Sequence, residues 1–203
     1  MTKIKICGMM RCEDIEAVNE AMPDYIGFVF ARNRKRTVAY ETAAEMKKKL
    51  DKRINAVGVF LNNEMTEIEK LCKDGIIDIV QLHGSEDEAF IRELRKRISN
   101  PVIKAVSVRS AEDIISAETL PVDYLLLDTY KKGIIGGTGE SFDWSMIPKI
   151  NKSFFLAGGL NETNIEAAMN FGAYGLDVSS GAETNGKKDK IKILSIIRKV
   201  RGD

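Results

Sequence analysis

Residues 122–144 read VDYLLLDTYKKGIIGGTGESFDW. Tyr124 to Leu127 has the look of a buried strand, Asp128 stands at its C-terminal end, and a glycine-rich loop (Gly133, Gly136, Gly137, Gly139) runs on to Phe142 and Trp144. An ionisable side chain at a strand's C-terminal end, beside exposed backbone N–H groups, is how α/β enzymes set an acid next to a phosphate. A plain glycine-rich connection has the same appearance.

Outward from this stretch the strand pattern recurs in both directions. Lys3 to Cys7 is a short strand, after which Ile15, Val18 and Met22 recur at helical spacing up to Pro23. Tyr25 to Phe30 is the second strand, and the polar ARNRKRT leads to a charged helix from about Glu41 to Leu50. Ile54 to Leu61 is the third, with Asn63 placed to cap a helix carrying Met65, Ile68, Leu71 and Cys72. Ile77 to Leu82 is the fourth, and Ser85-x-x-Glu88 reads as a capping box ahead of Phe90, Ile91, Leu94 and Ile98. Pro101 to Val106 is the fifth, followed by Ser110-x-x-Asp113 opening a short helix. The opening stretch supplies the sixth strand, Phe154 to Ala157 the seventh and Tyr174 to Val178 the eighth. Helices with Ile165, Ala168 and Met169, and with Ile193, Ile197 and Val200, follow the last two. Eight strands alternating with helical segments, at about 25 residues per unit, predict an α/β fold. It is a single-domain (β/α)8 TIM barrel over residues 1–203, with phosphate-binding loops after strands seven and eight. A doubly wound open sheet is the alternative, and it requires one or two of these strands to be absent.

A chain of 203 residues, 44% hydrophobic, can bury a full core. It has no long apolar run and no signal-like start, since Lys3 and Lys5 interrupt the first strand, so a soluble, cytoplasmic protein is expected. The 31 basic and 30 acidic residues nearly cancel, which argues against nucleic-acid or anionic-membrane partners. Both a monomer and a homodimer stay open. Three cysteines make no disulfide framework. Cys7, Cys12, Cys72 and His83 reach a zinc ligand set in number only, without a C-x-x-C pair, so no metal is expected. The chain carries no G-x-x-x-x-G-K-[ST], and Phe142 follows Gly137-Thr138-Gly139 where a dinucleotide fingerprint needs its third glycine, so no cofactor is expected either.

A barrel gathers its chemistry at the C-terminal ends of its strands. That rule selects Cys7 and Gly8, the run Arg32 to Arg36, His83, Asp128, Gly158-Gly159 and Ser179-Ser180-Gly181. The last two clusters suit a phosphate, because Gly158, Gly159 and Gly181 let the backbone come close; ordinary strand-to-helix turns are the plain alternative. One arginine of the basic run matches a substrate carboxylate, and the rest read as a solvated loop. Cys7 is either small core filler or half of an acid–base pair with Asp128. His83, the only histidine, lines the same mouth or serves the structure.

Seven segments in register, Lys5-Ile6-Cys7-Gly8, Gly27-Phe28-Val29-Phe30, Gln81-Leu82-His83-Gly84, Leu126-Leu127-Asp128-Thr129, Gly136-Gly137-Thr138-Gly139 through Trp144, Ala157-Gly158-Gly159-Leu160 and Leu176-Asp177-Val178-Ser179-Ser180-Gly181, resemble the phosphoribosylanthranilate isomerases of tryptophan biosynthesis. The resemblance implies a cofactor-free, metal-free Amadori rearrangement of a small phosphoribosyl substrate, N-(5'-phosphoribosyl)anthranilate, to its 1-deoxyribulose 5-phosphate isomer. It implies Asp128 as general acid on the furanose ring oxygen and Cys7 as general base at C2', with Arg36 facing the anthranilate carboxylate. It also implies Gly136, Gly137, Gly139, Gly158, Gly159, Ser180 and Gly181 around the phosphate, and Asp177 lining the site. Two loops depart from the family pattern, TYKKGII before Gly136 and the basic ARNRK after strand two. A sister barrel isomerase of histidine biosynthesis is the nearest other reading, but that family uses an aspartate where this chain has Cys7. A catalytically silent phosphosugar-binding barrel is the other, and the presence of both Cys7 and Asp128 argues against it.

Overall fold

The computed structural model describes residues 1–32, 34–129 and 142–202. Strands β1 (Lys3–Cys7), β2 (Tyr25–Val29), β3 (Asn55–Phe60), β4 (Ile79–Leu82), β5 (Val102–Val108), β6 (Tyr124–Thr129), β7 (Phe154–Leu156) and β8 (Gly175–Val178) pair in chain order. All are parallel, and β8 returns to pair with β1 through Lys5↔Asp177 and Ile6↔Val178, which closes the barrel. Around it, among the described residues, lie seven α-helices: α1 (Cys12–Ala21), α2 (Tyr40–Lys49), α3 (Met65–Lys73), α4 (Glu88–Arg95), α5 (Ala111–Glu118), α6 (Ile165–Ala168) and α7 (Lys190–Arg201). A hairpin, β9 (Glu183–Thr184) with β10 (Lys187–Lys188), sits between β8 and α7. None of the described helices is long and apolar enough to cross a membrane.

Side chains alternate across a strand, so each strand sends one parity into the barrel and the other toward the helices. The inward parity builds a core of Tyr25, Val57, Ile79, Ile103, Leu126, Phe155 and Ala157. The outward parity, from Ile4, Ile26 and Phe60 round to Leu176, joins the apolar faces of the helices in one larger core. Phe155 is the hub at the N-terminal end: its ring meets those of Tyr25, Tyr124 and Tyr174 at 5.4–5.7 Å, all steeply inclined. The Tyr25 and Tyr174 hydroxyls lie 2.8 Å apart beside it. Gly175 gives the ring its place, since a Cβ there would stand 2.7 Å from Phe155 Cε1.

The eight strands fall where the sequence places them, with different ends. β6 runs on through Thr129, so Asp128 lies within the strand, paired with Ser107, and not after it. β2 stops at Val29, and Phe30 instead stacks on Phe60 at 5.5 Å. β5 begins at Val102 because Pro101 has no N–H to give the ladder. The helix after β7 is one α-turn, Ile165–Ala168, continued by a 3-10 turn, Met169–Phe171.

Two expected caps are corrected. Asn63 does not cap α3, whose N-cap is Glu64; its amide oxygen accepts from Leu61 N and its nitrogen donates to Phe30 O and Glu67 Oε2. Ser85 does not open α4 either, because Asp87 lies closer and its carboxylate takes the Phe90 N–H at 2.8 Å, while Ser85 bonds Asn62. The Ser110–Asp113 capping box of α5 is present.

Phe155→Ala should cost about 3–5 kcal/mol of stability, against about 1 kcal/mol for Asp87→Ala, which removes only a helix cap. Urea unfolding of the two variants checks the ranking, and comparable midpoints would contradict the role given to Phe155.

Candidate active site

Because all eight strands are parallel, their C-terminal ends share one mouth, and the charges there are not spread evenly. On β1, Lys5 and Cys7 are two residues apart and buried, on the inward parity. Lys5 Nζ donates to Asp177 Oδ2 at 2.8 Å across the seam between β1 and β8. Asp177 Oδ1 is buried and has no hydrogen-bond partner among the described residues. Cys7 turns toward Gly27 on β2, where a Cβ would come within 2.6 Å of its Sγ, so a glycine there makes room for the thiol.

Burial pushes the Cys7 thiol above its ordinary 9.0; Lys5 pulls it down, Asp177 pushes it up, and Lys188 pulls it down again. Burial pushes Lys5 the other way, but the Asp177 carboxylate and the Cys7 thiol outweigh it and hold the ammonium above its ordinary value.

Asp128, three strands round the closed order from β1, is 6% exposed. Its Oδ1 accepts from Thr129 N at 2.8 Å and its Oδ2 stands 3.3 Å from His83 Nε2. Gln81 lies behind the imidazole, with its Nε2 3.0 Å from His83 Nδ1. With that amide nitrogen as the donor, Nδ1 accepts and the ring proton is on Nε2, directed at Asp128. The sole histidine thus touches the candidate acid directly, where the sequence left it between structure and site. Gly158 closes over the same carboxylate with φ +84°, and a Cβ on it would lie 3.0 Å from Asp128 Oδ1 and 2.2 Å from Thr129 Oγ1.

The two glycine turns meet. A Cβ on Gly181 would stand 2.0 Å from Leu160 O, so the loop after β7 and the 3-10 turn Ser180–Ala182 after β8 pack at a distance only glycine allows. Among the described residues the amides of Gly158, Gly159, Ser180 and Gly181 have no acceptor, the condition of a helical first turn ready for an anion. Gly136, Gly137 and Gly139, expected beside them, lie outside the described residues.

Arg36 reaches the mouth from the loop between β2 and α2, its Cδ pressed against Gly8, where a Cβ would lie at 2.4 Å. Its guanidinium is held in a fork by Glu183, Nε to Oε1 at 2.6 Å and Nη2 to Oε2 at 2.8 Å. Lys188 Nζ donates to Glu183 Oε1 at 2.7 Å and to Ser179 O at 2.9 Å, which fastens the hairpin to the turn after β8. Burial pushes Glu183 up, but Arg36 and Lys188 prevail and hold its carboxyl down at about 2. The other described members of the basic run stay outside: Arg32 pairs with Glu67 at the surface, and Arg34 and Lys35 are exposed.

Three participants escaped the sequence reading: Lys5, Glu183 and Lys188. For Lys5 a signal existed, since the parity that turns Cys7 inward turns Lys5 inward too. Glu183 and Lys188 had none, because their hairpin follows no apolar pattern. The three cysteines do not converge: Cys7 is in the mouth, Cys12 begins α1 and Cys72 lies on α3.

Known proteins resemble this chain in sequence and in fold. The family model for N-(5'phosphoribosyl)anthranilate (PRA) isomerase matches residues 4–199. An N-(5'-phosphoribosyl)anthranilate isomerase of Endomicrobium trichonymphae is 48% identical over 202 residues, 99% of each chain. The crystal structure of the phosphoribosyl anthranilate isomerase of Thermotoga maritima superposes with a TM-score of 0.88 at 33% identity, covering 100% of both chains. A phosphoribosyl anthranilate isomerase in complex with reduced 1-(o-carboxyphenylamino)-1-deoxyribulose 5-phosphate superposes at 0.84 with 32% identity, again over 100% of both. With a barrel of eight parallel strands and a family match along nearly its whole length, this chain belongs to the N-(5'-phosphoribosyl)anthranilate isomerase family.

Proposed function

We propose that this protein, a single barrel domain, is the isomerase of tryptophan biosynthesis that converts N-(5'-phosphoribosyl)anthranilate to 1-(2-carboxyphenylamino)-1-deoxyribulose 5-phosphate, with Asp128 and Cys7 as its acid and base. It works in the cytoplasm, as a monomer or a homodimer, on a small phosphoribosyl substrate. The observation that carries the assignment of roles is the placement of Asp128 and Cys7 in one barrel mouth, with the paired glycine turns between β7, β8 and α7 on its rim. A phosphate on the free amides of Gly158, Gly159, Ser180 and Gly181 leaves the ribose between the two side chains. Asp128 then gives its proton to the ring oxygen, the C1'–O bond breaks, and C1' becomes the carbon of a protonated Schiff base. That cation acidifies the C2' hydrogen, which the Cys7 thiolate removes to leave an enolamine, and tautomerisation yields the ketone. One proton enters from Asp128 and one leaves to Cys7, so the pair's net charge does not change. The contact of His83 Nε2 with Asp128 Oδ2 aims the acid, and Asp177 Oδ1, without a partner among the described residues, is an acceptor for a ribose hydroxyl. Arg36 faces the anthranilate carboxylate while Glu183 holds its other edge.

Each acid–base group is worth about 10²–10⁴ in rate. Cys7→Ala and Asp128→Asn should therefore each lower turnover by that factor with the fold retained. The assay generates phosphoribosylanthranilate in situ and follows loss of its fluorescence; near-normal turnover in either variant would remove that residue from the mechanism.

The clamp on Arg36 also sets an acid limit. A carboxylate whose folded-state pKa is below its unfolded value stabilises the fold above the unfolded value and loses that contribution as pH falls through the folded one. Glu183, lowered from 4.5 to about 2, gives a stabilisation fully present above that upper value and lost on acidification toward the lower. Glu183→Gln should flatten the fall in thermal midpoint across that window, and an unchanged slope would show that Glu183 is not the group responsible.

A further inference from the structure

We propose that Lys5 is a positioning residue for the proton-abstracting step, supplying from the closing seam of the barrel the counter-charge that the Cys7 thiolate needs. The inference rests on the reading of Cys7 as the base. Lys5 is fully enclosed, and its strand partner across the seam is Asp177. An ammonium carries three N–H groups; this one donates to Asp177 Oδ2 at 2.8 Å and also interacts with the Cys7 side chain. The interior of the barrel also holds Val57, Ile103 and Leu126, which are wholly buried and apolar. An enclosed cation is expensive in such an interior, and an apolar side chain would fill the position at lower cost. The next side chain on the same strand face is Cys7, one inward step toward the mouth.

Charges of both signs face Cys7 from the elements around it. Its own strand brings Lys5, β8 brings Asp177, the hairpin brings Glu183 and Lys188, and the loop before α2 brings Arg36; β2 opposes it with the uncharged Gly27. Three cations stand against two anions, so the cluster has one positive charge in excess until Cys7 gives up its proton. Lys188 is committed to Glu183 and Ser179 O, and Arg36 to Glu183. Lys5 is the cation on the thiol's own strand face. Asp177 competes with Cys7 for that same ammonium, which fixes the direction of two opposite experiments.

In a Cys12→Ser, Cys72→Ser background, the thiolate of Cys7 is followed against pH by its ultraviolet absorbance, as the difference from the matching Cys7→Ala protein. Lys5→Met should shift thiolate formation to higher pH, lowering the thiolate fraction at fixed pH by about tenfold or more. Asp177→Asn should shift it to lower pH, and Lys5→Arg should stay close to the parent. In turnover, the deficit of Lys5→Met should shrink as pH rises, whereas a residue needed only for packing would leave the deficit constant. If Lys5→Met fails to fold, the Asp177→Asn and Lys5→Arg titrations decide. Shifts in the same direction for the Met and Asn variants, or none in either, overturn the proposal in a parent that is active. A parent that does not turn over phosphoribosylanthranilate removes the reaction reading itself, and with it the part given to Lys5.

Discussion

The pairing of β8 with β1 is the constraint on which the site depends. An open sheet would leave Lys5 and Asp177 at opposite edges, each a buried charge with no partner; closure sets them in register and joins them at 2.8 Å. The same ladder brings the turn after β8 beside Cys7, where Ser179 Oγ reaches Cys7 O at 3.3 Å. Lys188 then ties that turn to the hairpin, and the hairpin's Glu183 holds Arg36. The chain of contacts from β1 to the basic loop after β2 passes through the seam.

Much of this was legible because the barrel imposes a simple rule on the sequence. Short apolar runs at regular spacing mark strands, and whatever polar residue ends each run falls at the mouth. Cys7, His83 and Asp128 are found that way. Strand ends were less legible, since Thr129 extends β6 by pairing with Val108, a partner no local pattern announces. Caps failed for a related reason. Asn63 and Ser85 both suit the role by residue type, yet Asn63 is drawn into bonds with Phe30 just after β2 and with Glu67 on α3, and Ser85 into one with Asn62, partners that propensity cannot see.

The charged cluster was the least legible part. Arg36 stands in a run of four basic residues with nothing local to separate it from Arg32; position alone turns one toward Glu183 in the mouth and the other toward Glu67 at the surface. Glycines carried more information than charges. Gly27, Gly158 and Gly181 each stand where a Cβ would strike the thiol, the acid's neighbour or the facing loop, so the absence of a side chain marks how closely the site is built.

The interior of the barrel changes character along its axis, and the change separates folding from chemistry. At the N-terminal end Phe155 and three tyrosines fill the space with rings, a packing that stabilises through buried area and edge contacts. Toward the mouth the filling becomes Lys5 and Asp177, and such a pair is a weak source of stability, because desolvating two charges offsets most of their attraction. Leucine or methionine in both places would hold the seam as well. On the role proposed for Cys7, a seam that instead keeps an ammonium beside a thiol, and a carboxylate with one oxygen unpartnered among the described residues, is arranged around a charge that appears during the reaction rather than around the stability of the resting fold.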